Sequence, residues 1–134
     1  MSDVRAIATS RAWTWLGIEL VETGEGFATV EMTAKEEMAN SAGFVHGGLI
    51  SALADSAMGR SLRTVEPGVA RAMSFDLKVS FINAAKVGET LRATGRVVHA
   101  GRRTMVAHCR VEGRAGRLIA TASGTFAVTR EKES

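Results

Sequence analysis

Asp55 stands eight positions beyond Gly47 in the stretch Asn40-Ser-Ala-Gly43-Phe-Val-His46-Gly47-Gly48, which continues through Leu49-Ile-Ser-Ala-Leu-Ala-Asp55 to Gly59. No Lys or Arg lies three or four residues before Asp55, or at Met58 and Gly59 after it, so a helical ion pair does not account for the acid. An unpaired carboxylate among apolar and small residues is costly to bury, which makes Asp55 a candidate general base or nucleophile. The Gly47-Gly48 pair supplies bare backbone N–H groups at a helix start, where donors lack intrahelical partners and the dipole favours negative charge. That is the raw material of an oxyanion hole. Eight residues of helix rise about 12 Å, so one reacting carbonyl carbon cannot touch Gly47 and Asp55 of the same chain. If both act on one substrate, the acid comes from a second copy whose helix runs antiparallel in a two-fold dimer.

The elements that must position these groups follow from periodicity. Leu49, Ile50, Leu53, Ala57, Met58 and Leu62 recur at three- and four-residue steps, with Ser51, Ala52, Ala54, Ser56 and Gly59 between them. This predicts a helix over Gly48 to Val65 that other structure wraps. Trp13, Trp15 and Leu16 suggest a short helical turn. Ile18 to Thr23 and Phe27 to Thr33, joined by Gly24-Glu25-Gly26, form a predicted hairpin, and Ala34 to Ala39 a brief helical or irregular connection. Beyond Pro67-Gly68, Met73, Phe75, Leu77, Val79 and Phe81 alternate with Ser74, Asp76, Lys78 and Ser80, the clearest strand of the chain. Further strands are expected at Thr90 to His99, Thr104 to Glu112 and Leu118 to Thr129, and Arg130 to Ser134 is a charged tail. Short turns between long strands predict an antiparallel meander, and one substantial helix is available to cover its apolar face.

The chain has 134 residues, 46% of them hydrophobic and 23% charged, which fits one domain, 1–134, of ordinary globular composition. Aromatic residues make up 5% and Tyr is absent, so the stacking platforms of a single-strand nucleic-acid binder are missing. The formal charge of +3 suits a small anionic ligand. No apolar run is long enough for a membrane span, and Met1-Ser-Asp-Val-Arg lacks the pattern of a signal peptide, so a cytosolic protein is expected. The single cysteine, Cys109, falls on the apolar phase of a predicted strand and is expected to pack as a small hydrophobe. His99 and His108 lack partners at metal-ligand spacing, so no metal site is expected.

The block Asn40-x-x-Gly43-x-x-His46-Gly47-Gly48 followed by Asp55, the strand Ser74-Phe-Asp-Leu-Lys-Val-Ser-Phe81 and then Ala84-Ala-Lys-Val-Gly88 resembles the hotdog-fold acyl-CoA thioesterases of the phenylacetate-degradation (PaaI-like) type, within the 4-hydroxybenzoyl-CoA thioesterase superfamily. The resemblance runs from the first hairpin to the last strand. It implies an α+β fold in which an antiparallel sheet wraps one long central helix, and a dimer with shared active sites that pairs again into a homotetramer. It also implies hydrolysis of a small or medium acyl-CoA, aromatic acyl groups included, with no cofactor, CoA being part of the substrate. Position by position, Gly47 would offer its N–H to the thioester carbonyl, and Asp55 of the neighbouring subunit would attack it or activate a water. Asn40 would help place the water or the carboxylate, His46 would support the carbonyl-binding loop and Ser74 would lie near Asp55.

Each residue also has a plainer reading. Asn40 suits a loop cap, His46 a structural contact, Ser74 a solvent-facing position in an alternating strand and the glycine pair a tight turn. Arg102, Arg103, Arg114 and Arg117 lie in or beside hairpin turns, where solvated charges are ordinary. The CoA phosphates would nevertheless call for a guanidinium cluster, and Arg102 and Arg103 are the candidates. Two other functions fit the same fold: an acyl-CoA sensor without catalysis, and a hydratase or dehydratase of hydroxyacyl or enoyl thioesters. A DNA-binding segment of the kind such sensors usually carry is not expected within these 134 residues. The acid-bearing helix after His-Gly-Gly differs from the arrangement those hydratases use.

Overall fold

The computed structural model describes residues 10–66 and 68–130. The segment before Ser10, Pro67 with its expected chain break, and most of the charged tail lie outside the described residues. A short helix α1 (Arg11–Leu16) comes first, its start capped by the Ser10 hydroxyl, which accepts the Trp13 N–H at 3.1 Å. Strands β1 (Glu19–Gly24) and β2 (Phe27–Thr33) form the expected hairpin. A single 3₁₀ turn (Glu36–Met38) leads to the central helix α2 (Gly47–Val65). Strands β3 (Val69–Phe81), β4 (Thr90–Ala100), β5 (Thr104–Glu112) and β6 (Leu118–Arg130) follow.

The six strands make one antiparallel sheet in the order β1-β2-β4-β5-β6-β3. The predicted meander therefore holds for β4, β5 and β6, while β3 is displaced to the far edge and β4 pairs with β2. The cause is α2, which separates β2 from β3 in sequence and crosses one face of the sheet, delivering β3 to the opposite side. Ile50, Leu53, Ala54, Ala57, Met58, Ser61 and Leu62 of α2 are buried against that face. Val30, Met32, Leu91, Ala93, Met105 and Phe126 supply much of the opposing core. The other side of α2, with Ser51, Ala52, Asp55, Ser56 and Gly59, is half-buried. The sheet of one chain thus wraps the helix on one side and leaves its small-residue stripe partly open.

Gly95 of β4 fixes how closely α2 approaches the sheet. A Cβ built there would stand 2.6 Å from the carbonyl carbon and oxygen of Ala57, so helix backbone rests directly on strand backbone. Gly95→Ala is expected to destabilise by about 1–3 kcal/mol, the usual cost of overpacking, because rigid backbone must move. Urea titration checks this as a lower midpoint at an unchanged slope. At the other end of the sheet, the buried Glu89 carboxylate accepts the Lys86 N–H at 2.6 Å and the Arg114 N–H at 2.9 Å. It ties the β3–β4 connection to the β5–β6 turn, and these N–H groups hold its carboxyl below the usual carboxylate range.

The β3 alternation does not run as the sequence suggests. A β-bulge interrupts the register between Ser74 and Asp76 and switches the phase of the strand. Ala72 and Ser74 pair with Val128 and Phe126, and after the bulge Leu77, Val79 and Phe81 pair with Gly124, Ala122 and Ala120. Residues directly opposite share a face, so Ser74 lies on the helix side together with Leu77, Val79 and Phe81, not with Lys78 and Ser80. The expected apolar face of β3 is also largely uncovered: Met73 is 66% exposed, Phe75 63% and Phe81 55%.

Candidate active site

The α2 N-terminus assigns separate tasks to His46, Gly47 and Gly48. His46 is the N-cap, its Nδ1 accepting the Gly48 N–H at 2.9 Å, which leaves the imidazole proton on Nε2. The Leu49 and Ile50 N–H groups turn back to the His46 carbonyl at 3.0 and 3.3 Å. The Gly47 N–H makes no hydrogen bond among the described residues. Of the two glycine donors, Gly47 alone is available to a ligand. It lines a cavity of ≈ 300 Å³ together with Asn40, Phe44, Phe81, Ile82 and Asn83.

Asn40 organises the loop that leads into this helix. Its Oδ1 accepts the Ala42 and Phe44 N–H groups at 2.9 and 3.1 Å, and its carbonyl accepts the Gly43 N–H at 3.0 Å. The side-chain oxygen is thus committed to the turn, as its residue type favours, while its Nδ2 makes no hydrogen bond among the described residues and is open to the cavity that Asn40 lines.

Asp55 lies on the half-buried side of α2 and lines a second cavity, of ≈ 520 Å³, with Trp13, Gly59, Ala72, Ser74 and Phe126. Burial pushes its carboxyl above the ordinary value of 3.8, and the Ser74 hydroxyl, donating to the carboxylate, offsets part of that rise. Oδ1 is buried without a hydrogen-bond partner among the described residues. The β3 bulge is what brings Ser74 to the acid. Gly47 and Asp55 accordingly line two cavities, the first touching β3 at its Phe81 end and the second at Ala72–Ser74.

A family model described as the thioesterase superfamily matches residues 42–120, which include Gly47, Asp55 and Ser74. The chain belongs to the thioesterase superfamily. This member is 36% identical over 91 residues to the acyl-coenzyme A thioesterase PaaI of Escherichia coli, across 68% of this chain and 63% of that one. It is 34% identical over 85 residues to human acyl-coenzyme A thioesterase 13, across 63% of this chain and 60% of that one. The matched stretch thus spans less than two thirds of either relative. The solved structure of Escherichia coli PaaI, from the phenylacetic acid degradation operon, superposes with a TM-score of 0.83 at 29% identity, covering 93% of this chain and 87% of that one. The α+β hotdog architecture expected from the sequence is the one found.

In this thioesterase-superfamily chain, the predicted site residues fall into two groups. Asn40, His46 and Gly47 gather at the α2 N-terminus, and Asp55 and Ser74 meet further along it. Arg102 and Arg103 stand exposed on the β4–β5 turn and line neither cavity. Arg117 is engaged with the Ala84 carbonyl at 2.9 Å. Sequence reading missed Arg60 and Arg63, which line the Asp55 cavity, and Trp13, whose ring lies 5.1 Å beneath the Arg60 guanidinium. The helical positions of both arginines relative to Asp55 were legible; the fold of α1 over them was not.

Ser74→Ala tests the carboxylate environment. The hydroxyl favours the charged form of Asp55, so its removal raises the Asp55 pKa further. The acid limb of the pH–rate profile is expected to move to higher pH, with the activity lost at low pH recovered at alkaline pH. An unmoved limb would separate Ser74 from the titrating group.

Proposed function

We propose that the protein is an acyl-CoA thioesterase acting on a small or medium acyl group, and that its working unit is a homodimer in which each site takes Gly47 from one copy and Asp55 from the other. The observation that carries this reading is that the unpartnered Gly47 N–H and the half-buried Asp55 line cavities at opposite ends of one edge strand, β3. β3 is 13 residues long, pairs with β6 on one side only, and exposes Met73, Phe75, Leu77 and Phe81. A long apolar edge of this kind calls for a partner strand. Antiparallel pairing of two copies of β3 about a two-fold axis near Leu77 sets Ser74 of one opposite Phe81 of the other. The Asp55 cavity of one chain then joins the Gly47 cavity of its mate, which removes the 12 Å obstacle within a single helix, roughly its rise over eight residues.

In that joint site the Gly47 N–H, reinforced by the helix dipole, polarises the thioester carbonyl and holds the oxyanion as the tetrahedral intermediate forms. Asp55 either takes a proton from the attacking water or attacks the carbonyl carbon itself. By the first route collapse of the intermediate breaks the C–S bond and releases the acid and CoA; by the second it releases CoA and leaves a mixed anhydride on Asp55, which water then hydrolyses to free the acid, the leaving thiolate taking up a proton in both. Ser74 orients the carboxylate and His46 holds the loop carrying Gly47. Asn40 places the water through its free Nδ2. Arg102 and Arg103, exposed and without a side-chain hydrogen bond or ion pair among the described residues, are available to the CoA phosphates. A further pairing into a tetramer accords with the resemblance of the sequence. The anionic CoA moiety and the unpaired thiol of Cys109 suit a cytosolic setting. No helix among the described residues is long and apolar enough to cross a membrane.

Incubation with a panel of acyl-CoAs and a thiol reagent tests the activity, released CoA being the expected result. Binding without release would support the sensor function instead, and addition or loss of water at an intact thioester the hydratase function. In single-turnover hydrolysis in H₂¹⁸O, label found in Asp55 would show the nucleophilic role, through attack of water on the Asp55 carbonyl of a mixed anhydride, whereas label in the released acid fits general-base attack or attack on the acyl carbonyl of that anhydride.

A further inference from the structure

We infer that Arg60 and Arg63, with Trp13 as the wall beside them, form the acyl-selecting end of this site, and that the acyl group it takes has an apolar body and a terminal carboxylate. The inference rests on the thioesterase reading above and specifies its substrate class. Arg60 and Arg63 line the Asp55 cavity and also a contiguous one of ≈ 600 Å³ beyond it. Trp13, Met73, Gly59 and Phe126 line the cavity that also holds the acid and the two cations and give it an apolar wall, to which Gly59 adds no side chain.

Distance separates this role from that of a phosphate receptor. Arg60 and Arg63 follow Asp55 by five and eight helical residues, about 7.5 and 12 Å of rise. Helical side chains lean toward the N-terminus, so both guanidiniums are drawn back toward Asp55 from those limits. The pantetheine arm of CoA places about thirteen bonds between its sulfur and the first phosphorus, roughly 16 Å when extended at peptide-like bond geometry. The two cations therefore stand too near the reacting carbon for the pyrophosphate of an extended CoA, and at the reach of an acyl chain of six to eight carbons.

Among the described residues, Asp55 is the acid that lines this cavity and Glu25 the acid that lines the contiguous one, each together with the two arginines. Arg63 makes no hydrogen bond or ion pair among the described residues, and burial together with the neighbouring Arg63 charge pulls the Arg60 guanidinium below its ordinary value. An incoming carboxylate offers Arg63 the planar acceptor that a guanidinium group matches, beside the charge of Arg60.

Matched substrates test the inference: octanedioyl-CoA against octanoyl-CoA, with hexanedioyl-CoA against hexanoyl-CoA as a shorter pair. The wild type is expected to favour the dicarboxylyl member in kcat/KM by about 10- to 100-fold, the scale of a charge-assisted hydrogen bond. In Arg60→Gln and Arg63→Gln the ratio between the two members should fall toward one, and Arg60→Lys with Arg63→Lys should restore part of it. A wild type without preference overturns the inference, as does an equal loss on both members, which would make the arginines CoA-phosphate ligands. Calorimetric binding of the same pairs to Asp55→Asn is independent of turnover. Preference in binding without hydrolysis by the wild type would remove the thioesterase reading alone, whereas hydrolysis without preference in either assay would remove this inference alone.

Discussion

Asp55→Asn is expected to lower kcat by about 10²–10⁴-fold or more while leaving acyl-CoA binding in place, because the amide keeps the shape and the hydrogen-bonding capacity but can neither accept a proton from water nor attack a thioester. Stopped-time assays with a thiol reagent, alongside calorimetric binding, separate the two effects. Retained turnover would exclude Asp55 from the chemistry.

The same substitution has an effect on stability with a definite sign. Burial raises the folded-state pKa of Asp55 above 3.8, so the ionised carboxylate is disfavoured in the folded protein. Below 3.8 the group is protonated whether the chain is folded or unfolded, and the wild type carries no penalty. As pH rises through the elevated folded value, the unfolded chain has already released its proton and the wild type loses stability. Asp55→Asn does not titrate, so its advantage over the wild type in denaturant midpoint should be absent in acid and reach its full size at neutral pH. A functional group held at the expense of the fold behaves in this way.

The second large effect concerns the division of the site between copies. Mixing Asp55→Asn with Gly47→Pro, each inactive alone, should restore activity, since one of the two sites in a mixed dimer holds an intact Gly47 and an intact Asp55. With free exchange half of all dimers are mixed, so about a quarter of the sites, and a comparable fraction of wild-type activity, are expected back. The proline variant is chosen on structural grounds. Gly47 is the first residue of α2, the position where proline is best tolerated, and His46 before it has φ −61° and ψ 132°, a conformation that a following proline permits. A Cβ at residue 47 would stand 3.1 Å from the Phe81 ring, which is exposed and free to give by the few tenths of an ångström required. Proline removes the N–H donor that the mechanism needs. Circular dichroism checks the fold of each variant and a tagged pull-down checks exchange. If subunits exchange and no activity returns, Gly47 and Asp55 act from one chain or one of them has no part in the chemistry.

Much of this molecule was legible in the sequence. The 3.6-residue recurrence from Leu49 to Leu62 and the bare glycine pair before it determine a helix with a donor-rich start, and α2 begins one residue earlier than predicted, at Gly47, because His46 folds back to cap it. Spacing alone determines that Gly47 and Asp55 cannot meet within one helix, since helical rise does not depend on surroundings. The turn chemistry of the hairpins was equally plain, and β2 and β5 run as expected.

Tertiary structure decided what periodicity cannot carry. Alternation shows that β3 is a strand but not which strand it pairs with, because strand pairing is non-local; placing it on the edge beside β6 turned an expected core face into an exposed one. A bulge adds one residue to a strand without altering its composition, so a phase change at Ser74 leaves no mark in the sequence, yet it carries that hydroxyl to Asp55. Nothing in the sequence around Glu89 marks it, since the two backbone N–H groups that close on its carboxylate come from separate loops. The fold of α1, which brings the Trp13 ring over Arg60, likewise joins residues distant in the chain. Sequence by itself determined the helix, the donor and the acid, since those depend on local geometry and residue chemistry; only the tertiary structure decided which side chains surround them, because those contacts depend on where separate elements come to rest.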